Sequence, residues 1–300
     1  MNTPIFLEVD GRRARVLTDG DASNPPCLLL HGLGRSLEDW SEQTKTLLRG
    51  YRVISLDVPG FGYSDRMPGP VSLQSLANGV AEVIDKLGEK RRLHVVGNSL
   101  GGAIAQQLLV SRPLQVASLT MISSVGFGSE VSPLLRMLAL PIIGPLATRW
   151  HSRAGATMME RALHANRSTA TAERIDHALE IGSRPGAGQF LRETTLMLGT
   201  FRGVKARWRQ DLADAVTQNP RPTLIVWGTE DRIVPAHQLA EARRVYPHAE
   251  VHLMQGVGHM PQIEHPEHLT RLVMSFLDRT SSTQDSTTSG NEEGSAQTFL

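Results

Sequence analysis

The sequence predicts an α/β fold, in which a mostly parallel central sheet is flanked by helices and interrupted by an all-helical insertion. Three observations predict this fold. Short continuous apolar runs are bounded by turn residues, which is typical of strands buried on both faces of a parallel sheet. Amphipathic helical stripes alternate with those runs. Between Gly126 and Asp211 the alternation stops, and the pattern becomes helical and broken by prolines.

The composition and the segment patterns divide the chain into three predicted parts. Apolar residues make up 40% and charged residues 20% of the 300 residues, as in ordinary soluble proteins. Residues 1–125 and 212–279 are expected to form the α/β core, and residues 126–211 the helical insertion. Ten of the last 21 residues are Ser or Thr. Because such a segment cannot offset its ordering entropy, residues 280–300 are predicted to be a disordered tail.

The strand predictions rest on apolar runs with turn residues on both sides. Ile5–Val9 and Arg12–Leu17 are joined by Asp10-Gly11, a dipeptide typical of a tight hairpin. Further strands are predicted at Cys27–Leu30, Arg52–Leu56, Leu93–Val96, Leu119–Ile122, Thr223–Trp227 and Glu250–Met254. The connections between parallel strands are expected to be right-handed crossovers through helices.

The helix predictions rest on apolar residues spaced three and four apart. One helix begins after Ser72, which can cap its first turn. Its stripe consists of Leu73, Leu76, Val80, Val83, Ile84 and Leu87. Gly102–Val110 reads as a second helix, and Pro235 suits the first turn of a third helix over Ala236–Tyr246. The last helix carries the stripe Leu269, Leu272, Val273, Phe276 and Leu277.

Charge and cysteine content exclude several classes of function. The net charge is +1, from 31 basic and 30 acidic residues, whereas a protein that binds nucleic acid usually has a strong basic excess. The single cysteine, Cys27, excludes an internal disulfide and a paired-cysteine metal or redox site. We therefore expect no nucleic-acid partner, no metal and no cofactor.

The N-terminus and the apolar segments argue against export and membrane insertion. Residues 1–7 lack a basic start and a long apolar stretch, so no secretory signal is predicted. The most apolar segment, residues 131–150, contains three prolines and two arginines, which a membrane-spanning helix would not tolerate. A cytoplasmic location is the expectation.

The strongest local motif surrounds Ser99, in the sequence Gly97-Asn98-Ser99-Leu100-Gly101. It follows a predicted strand and opens a predicted helix, which is the setting of a nucleophile elbow. The glycines allow a sharp turn that holds the Ser99 hydroxyl above the sheet edge. The alternative is a glycine-rich turn that binds phosphate, but Ser99 as a nucleophile is the prediction.

A serine nucleophile needs a base, and the base needs an acid that fixes its tautomer. His259 is predicted as the base, because it lies in a glycine-rich loop just after the strand Glu250–Met254. Asp231 is predicted as the acid, because it lies in the loop after the strand Thr223–Trp227. Glu230 is the main alternative acid and Asp57 a weaker one. The order Ser99, Asp231, His259 is that of the hydrolases built on an α/β sheet.

The tetrahedral intermediate of such a reaction needs hydrogen-bond donors for its oxyanion. The backbone N–H of Leu100 is predicted as one donor, because it directly follows the nucleophile. The second is assigned to the N–H of Leu33, with Gly34 as the alternative, in the loop His31–Gly34 after the strand Cys27–Leu30. His31 itself is interpreted as a prop for this loop.

Residues that adjoin these positions are predicted to contact substrate, since glycines let the backbone approach a ligand closely. They are Gly32, Gly34, Asn98, Ile233 and Met260. The leucine-rich stretch over residues 134–146 has two interpretations. Its side chains either pack the insertion against the core or line an apolar acyl site.

Five segments carry a resemblance to a known family. They are HGLG at His31–Gly34, DVPGFGYS at Asp57–Ser64, GNSLGG at Gly97–Gly102, WGTEDRIVP at Trp227–Pro235 and GVGHMPQIEHP at Gly256–Pro266. A chain with these motifs resembles the α/β-hydrolases, in the group of esterases and C–C bond hydrolases. The resemblance spans about residues 25–279 and implies that residues 126–211 form a cap domain over the catalytic residues.

The predicted function is hydrolysis of a small-molecule acyl ester, or a related carbonyl substrate, through an acyl-enzyme. The alternative is a C–C bond hydrolase that acts on meta-cleavage-type vinylogous diketo acids, which GNSLGG also resembles. Those enzymes typically carry tryptophan after the catalytic histidine, where this chain has Met260. They also direct a cap arginine to the substrate carboxylate, for which Arg174, Arg184 and Arg192 are candidates. Perhydrolysis, acyl transfer, amide hydrolysis and a non-enzymatic binding role are further alternatives, and the oligomeric state is left open.

Overall fold

A computed structural model describes residues 2–149 and 152–289 of the chain. Its ten strands are β1 Ile5–Val9, β2 Arg12–Asp19, β3 Pro26–Leu30, β4 Arg52–Leu56, β5 Leu93–Asn98, β6 Val116–Ile122, β7 Gly199–Thr200, β8 Gly203–Val204, β9 Thr223–Gly228 and β10 Glu250–Met254. Its twelve α-helices are α1 Ser41–Leu47, α2 Leu73–Lys86, α3 Leu100–Ser111, α4 Pro133–Leu138, α5 Ile143–Arg149, α6 Arg153–Leu163, α7 Ala172–Gly182, α8 Ala187–Leu198, α9 Ala206–Val216, α10 Leu239–Val245, α11 Pro261–Glu264 and α12 Pro266–Ser289. These counts cover the described ranges. Short 3₁₀ turns lie at Leu37–Trp40, Pro113–Gln115, Arg167–Thr169 and Ala236–Gln238.

The central sheet has eight strands in the order β1-β2-β4-β3-β5-β6-β9-β10. The pairs β1–β2 and β2–β4 are antiparallel, and every other pair is parallel. This confirms the predicted mostly parallel sheet flanked by helices. Because parallel strands end at the same edge, the loops after β3, β5, β9 and β10 gather the predicted functional residues there.

Both faces of the sheet are buried, as the continuous apolar runs predicted. In β3, Leu28 and Leu30 join the hydrophobic core that contains residues of α2 and α3. Cys27 and Leu29 point to the opposite face, where they join a second core with residues of α1 and α12. The alternation follows from the two-residue period of a strand. Cys27 is fully buried, and burial raises the pKa of its thiol to about 12.

The insertion, residues 126–211, holds helices α4–α8 and one feature that the sequence analysis missed. Gly199–Thr200 and Gly203–Val204 pair as a two-residue antiparallel ladder. The segment is therefore helical with a small hairpin rather than all-helical. Each of these strands has only two residues, one of which is glycine. The sequence therefore shows no alternation of apolar and polar residues from which a strand could be predicted. Helix α9 begins inside the insertion range, at Ala206, and packs against α3 of the core.

The segment predicted to be a tail begins at residue 280, within helix α12. Helix α12 continues to Ser289, because no glycine or proline interrupts the chain between Pro266 and Gly290. The Ser281 hydroxyl oxygen lies 3.1 Å from His94 Nε2, which ties this turn to β5. Residues 290–300, the rest of the predicted tail, lie outside the described residues.

The turn between β5 and α3 leaves no room for a side chain at either of its glycines. A Cβ on Gly101 would lie 2.2 Å from the carbonyl oxygen of Leu30, and one on Gly97 would lie 2.3 Å from that of Gly101. We expect Gly101→Ala to lower the free energy of unfolding by about 1–3 kcal/mol, measured by denaturant titration, because backbone must move. Gly50 has open space around it, so Gly50→Ala should stay within about 0.5 kcal/mol. Equal effects of the two substitutions would contradict this packing argument.

Candidate active site

Ser99 sits on a strained turn at the carboxyl end of β5. Its backbone has φ 55° and ψ −115°, a left-handed conformation that a non-glycine residue rarely adopts. The turn is held by hydrogen bonds from Ser99 N to Ile122 O and from Gly102 N to Ser99 O. Ser99 directly precedes α3, whose N-terminal end carries a partial positive charge. This end of α3 therefore stabilises a negative charge that develops near the Ser99 hydroxyl.

Asp231 and His259 form a buried pair in the loops after β9 and β10. His259 Nδ1 lies 2.8 Å from Asp231 Oδ2, and both side chains are almost fully buried. The other carboxylate oxygen, Asp231 Oδ1, accepts hydrogen bonds from the N–H groups of Ile233 and Val234, each at 2.9 Å. Since the carboxylate accepts the Nδ1–H of His259, the Nε2 atom is left free to take a proton.

The two alternative acids lie elsewhere. Glu230, next to Asp231 in the chain, is exposed, and its contribution to the loop is an N–H bond to Val257 O. Asp57 is buried, but its carboxylate accepts from the N–H groups of Leu37 and Tyr63 and pairs with Arg15 at 3.3 Å. These contacts shape the loop after β4 and leave Asp231 as the carboxylate on His259.

The loop after β3 is braced by His31, as the sequence analysis interpreted. His31 Nε2 accepts the N–H of Val58 at 2.9 Å, and its Nδ1–H donates to Gly32 O at 2.8 Å. Complete burial lowers the pKa of this imidazole, so it stays neutral and can make both bonds. Within the described part of the chain, the N–H groups of Leu33 and Leu100 have no acceptor. Both are therefore available to an oxyanion.

Two cavities meet at Ser99. The large cavity has a volume of about 390 Å³ and contacts Ser99, His259 and residues of the insertion. All five residues predicted to contact substrate line it: Gly32, Gly34, Asn98, Ile233 and Met260. The small cavity, of about 50 Å³, extends from Ser99 in another direction and reaches the β7–β8 hairpin. Ser99, Leu33 and Leu135 line both.

Two predicted site residues have structural tasks besides lining the large cavity. The side-chain amide of Asn98 donates to the carbonyl oxygens of Ile122 and His259, each at 3.1 Å. It thereby ties the end of β5 to the backbone of the predicted base, His259. Met260 is almost fully buried and belongs to the main core. The position occupied by tryptophan in C–C hydrolases is thus filled here by a flexible apolar side chain.

The leucine-rich stretch of the insertion is split between the cavity and the surface. Leu134, Leu135 and Leu138 line the large cavity. Ile142, Ile143 and Leu146 are exposed, Ile142 by 83% of its surface. Neither of the two interpretations of this stretch therefore applies to all of its residues.

The insertion is fastened to the loop that carries His259. The Glu264 carboxylate accepts from the N–H of Gly258 at 2.7 Å and from that of Ala165 at 2.8 Å. The N–H of His259 donates to the carbonyl of Leu163 at 2.8 Å. The bond between His259 and Leu163 joins two residues that line the large cavity. The sequence analysis missed the role of Glu264, because its partner in the insertion, Ala165, lies 99 residues away in the chain.

A buried charge cluster joins the loop after β3 to the insertion. Arg35 binds Asp39 through two hydrogen bonds, at 2.7 and 2.9 Å, and also binds Glu160 of α6. Arg174 of α7 contacts Asp39 at 3.1 Å. Burial opposes ionisation of Glu160, but Arg35, His164 and Arg174 lower its pKa to about 2. Glu160 is therefore ionised at neutral pH and pairs with Arg35 and Arg174.

The structure separates the three arginines considered for a substrate carboxylate. Arg174 belongs to the charge cluster, and Arg184 donates to Gly62 O beside the ring of Tyr63. Arg192 lies near Gly144, and none of the three lines the large cavity. Arg35 does line it, but its guanidinium is neutralised by Asp39 and Glu160.

His164 makes the charge cluster sensitive to pH. Burial opposes its protonation, but its ring nitrogens lie 3.7 Å from Glu160 and 3.8 Å from Glu264, and these carboxylates raise its pKa. Its contribution to stability is thus present below pH 6.5 and lost as pH rises through the folded pKa. We expect the unfolding free energy of the wild type to fall between pH 6 and pH 9 more than that of His164→Gln. The difference should be about 1.4 kcal/mol for each pH unit between the folded and unfolded pKa values.

Denaturant titrations at both pH values measure this effect, and an exposed histidine provides the control. His237 lies 3.3 Å from Glu130, with both side chains largely exposed. Because an exposed pair contributes little, His237→Gln should keep the wild-type pH dependence. The same pH dependence in His164→Gln and the wild type would contradict the assignment.

Comparison with known proteins adds the following findings. Residues 27–270 match the model of the alpha/beta hydrolase family. The chain is 30% identical over 272 residues to the dihydrolipoyllysine-residue acetyltransferase component of the acetoin cleaving system of Cupriavidus necator. The aligned residues cover 91% of this chain and 68% of that protein. It is 30% identical over 271 residues to the 2-hydroxymuconate semialdehyde hydrolase of Pseudomonas putida, covering 84% of this chain and 86% of that protein.

Similar solved structures include enzymes of two kinds. A bacterial membrane phospholipase A superimposes with a TM-score of 0.76 at 26% identity, over 93% of this chain and 86% of that one. A meta-cleavage product hydrolase from Pseudomonas fluorescens IP01 has the same fold, with a TM-score of 0.77 at 24% identity over 92% of this chain and 97% of the other. Among the described residues, no helix has the length and apolar character needed to cross a membrane.

Proposed function

The chain belongs to the alpha/beta hydrolase family, and from that premise we propose that it is a serine hydrolase that cleaves carboxylic esters through Ser99, His259 and Asp231. The observation that carries the proposal is the buried 2.8 Å contact between His259 and Asp231, in loops that line one cavity with the strained Ser99. An imidazole that is oriented by a carboxylate can activate a serine hydroxyl that lines the same cavity.

The reaction begins when Ser99 Oγ attacks the ester carbonyl carbon. His259 Nε2 takes the hydroxyl proton, and Asp231 stabilises the resulting imidazolium through Nδ1–H. The negative oxygen of the tetrahedral intermediate accepts hydrogen bonds from the N–H groups of Leu33 and Leu100. His259 then protonates the leaving alcohol, which leaves an acyl-enzyme on Ser99. Water, activated by His259, attacks the acyl-enzyme and releases the acid.

The insertion acts as a cap in this proposal. Residues of α4, α6 and α7 enclose the large cavity above Ser99, including Leu138, Met159 and Leu179. Such a cover excludes water and offers apolar surface to a substrate. The bonds from Glu264 to Gly258 and Ala165 hold the cap to the His259 loop.

C–C bond hydrolysis is the second candidate, because the 2-hydroxymuconate semialdehyde hydrolase relative is 30% identical. Its substrate class carries a carboxylate that needs a cation. The arginine that lines the large cavity, Arg35, already pairs with Asp39 and Glu160. A carboxylate in the large cavity would displace a bound partner of Arg35, so the large cavity favours a neutral group.

A fluorophosphonate probe tests the serine hydrolase assignment. We expect the probe to label the wild type and not Ser99→Ala, because it reacts with an activated serine hydroxyl. Ser55 is buried on β4 away from the site, so Ser55→Ala should be labelled like the wild type. The absence of labelling in the wild type would favour a binding role.

Turnover of two substrate classes decides between ester and C–C cleavage. p-Nitrophenyl esters and a ring-fission dienoate should be assayed side by side with one enzyme preparation. We expect higher kcat/KM for the esters. A preference for the dienoate, lost in Ser99→Ala, would establish the C–C alternative.

A further inference from the structure

We infer that the small cavity receives the acyl group of the substrate and the large cavity its alcohol, so that the enzyme prefers esters of short acids with long apolar alcohols. The inference rests on the proposed function and deepens it by naming the substrate class. It depends on three observations: the two cavities meet at the nucleophile, they differ about eightfold in volume, and one of them contains His259.

The position of His259 assigns the cavities. The general acid must donate its proton to the leaving oxygen, so the alcohol has to extend on the side of the imidazole. His259 and Met260 line the large cavity and do not line the small one. The small cavity lies instead on the side of Leu100, with Val125 and Val234 in its wall. The acyl group, which stays on Ser99 after the alcohol leaves, is directed there.

The volumes set the expected lengths. A water-sized group needs about 10–15 Å³ of cavity volume. The small cavity, at about 50 Å³, therefore holds roughly three or four such groups. This suits an acyl chain of about two to four carbons. The large cavity, at about 390 Å³, is within the range of ordinary ligand pockets. It can hold a much longer apolar chain.

Part of the wall of the small cavity is hydrogen-bonded backbone. The β7–β8 hairpin lines it, and there Val204 N donates to Ser129 O at 2.8 Å. A Cβ on Gly203 would lie 2.2 Å from that same Ser129 oxygen, so the backbones are in close contact. Leu198 and Val234, on its sides, are buried in the main core. A longer acyl chain that extends toward the hairpin has to move hydrogen-bonded backbone.

Two isomeric esters test the inference directly. Hexyl acetate and ethyl hexanoate have the same atoms and differ in which side of the carbonyl is long, and ethyl acetate serves as the reference for both. Each buried methylene contributes a factor of up to about four in kcat/KM. We expect kcat/KM for hexyl acetate to exceed that for ethyl hexanoate by at least about tenfold. Equal values, or a preference for ethyl hexanoate, would overturn the assignment.

Two matched leucine variants test each cavity separately. Leu198 lines the small cavity and Leu138 the large one, and both are mostly buried. Leu198→Ala should raise the ratio of ethyl hexanoate to ethyl acetate by about fourfold or more. Leu138→Ala should leave that ratio within twofold and change the ratio of hexyl acetate to ethyl acetate. Because each ratio comes from one preparation, partial misfolding of a variant cancels. The reverse pattern would exchange the roles of the cavities and refute the inference.

Failure of the inference and failure of the proposed function give different results. If both isomers are cleaved with the wrong preference, ester hydrolysis stands and the inference falls. If none of the three esters is cleaved although the fluorophosphonate probe labels Ser99, ester hydrolysis itself is refuted, and the inference falls with it.

Discussion

Replacing Ser99 or His259 by alanine is expected to lower kcat by about 10⁴-fold or more. Without the Ser99 hydroxyl no acyl-enzyme can form, and without the His259 imidazole nothing takes the hydroxyl proton. The measurement is the steady-state turnover of a short-chain p-nitrophenyl ester. Ser55→Ala, a buried serine change on β4, should keep kcat within about twofold.

The double variant Ser99→Ala with His259→Ala distinguishes a shared step from two independent contributions. Because both groups handle the same proton, the double variant should lose little more than either single variant. If the fold loss in kcat of the double variant equalled the product of the two single losses, the two side chains would act in separate steps. Thermal melting of all three variants should accompany the kinetics, so that loss of fold is not counted as loss of catalysis.

Asp231→Asn is expected to lower kcat by about 10⁴-fold while the fold persists. The remaining amide oxygen can still accept the N–H groups of Ile233 and Val234, so the loop geometry is kept. The new amide N–H₂ would face His259 Nδ1 and favour the tautomer with the proton on Nε2, which cannot act as a base.

Glu230→Gln is the matched control for Asp231→Asn, since it makes the same chemical change one residue earlier. Glu230 is exposed, and in the described part of the chain the carboxylate bound to His259 is that of Asp231. The turnover of Glu230→Gln should therefore remain near that of the wild type. If Glu230→Gln lost activity and Asp231→Asn did not, the acid would be assigned to the wrong residue.

The residues at the edge of the sheet could be placed from sequence because they follow strands. Apolar runs identify β5, β9 and β10, and parallel strands must end at one edge, so their next loops meet. The choice between Asp231 and Glu230 was harder, because both follow β9. It depends on a turn in which the N–H groups of Ile233 and Val234 bind the Asp231 carboxylate. No periodic pattern records such a turn.

The lining of the two cavities could not be predicted in the same way. The wall of the small cavity includes a hairpin in which two of the four paired residues are glycines, a residue type that is depleted in strands. The charge cluster joins Arg35 to Glu160 across 125 positions, and the sequence holds many arginines and glutamates that could have paired instead. Packing between distant segments decides these contacts, whereas local pattern decides the strands.

The carboxylate of Glu264 also limits how this enzyme can be recombined. A chimera that exchanges residues 126–211 with those of a relative keeps Glu264 but replaces Ala165, whose N–H this carboxylate accepts, and Leu163, whose carbonyl receives the N–H of His259. These two hydrogen bonds are kept only if the backbone of the transplanted segment lies at the same position as residues 163–165 do here. A transplanted insertion thus has to reproduce the backbone contacts with Glu264 and His259 before its pocket residues can confer a new specificity.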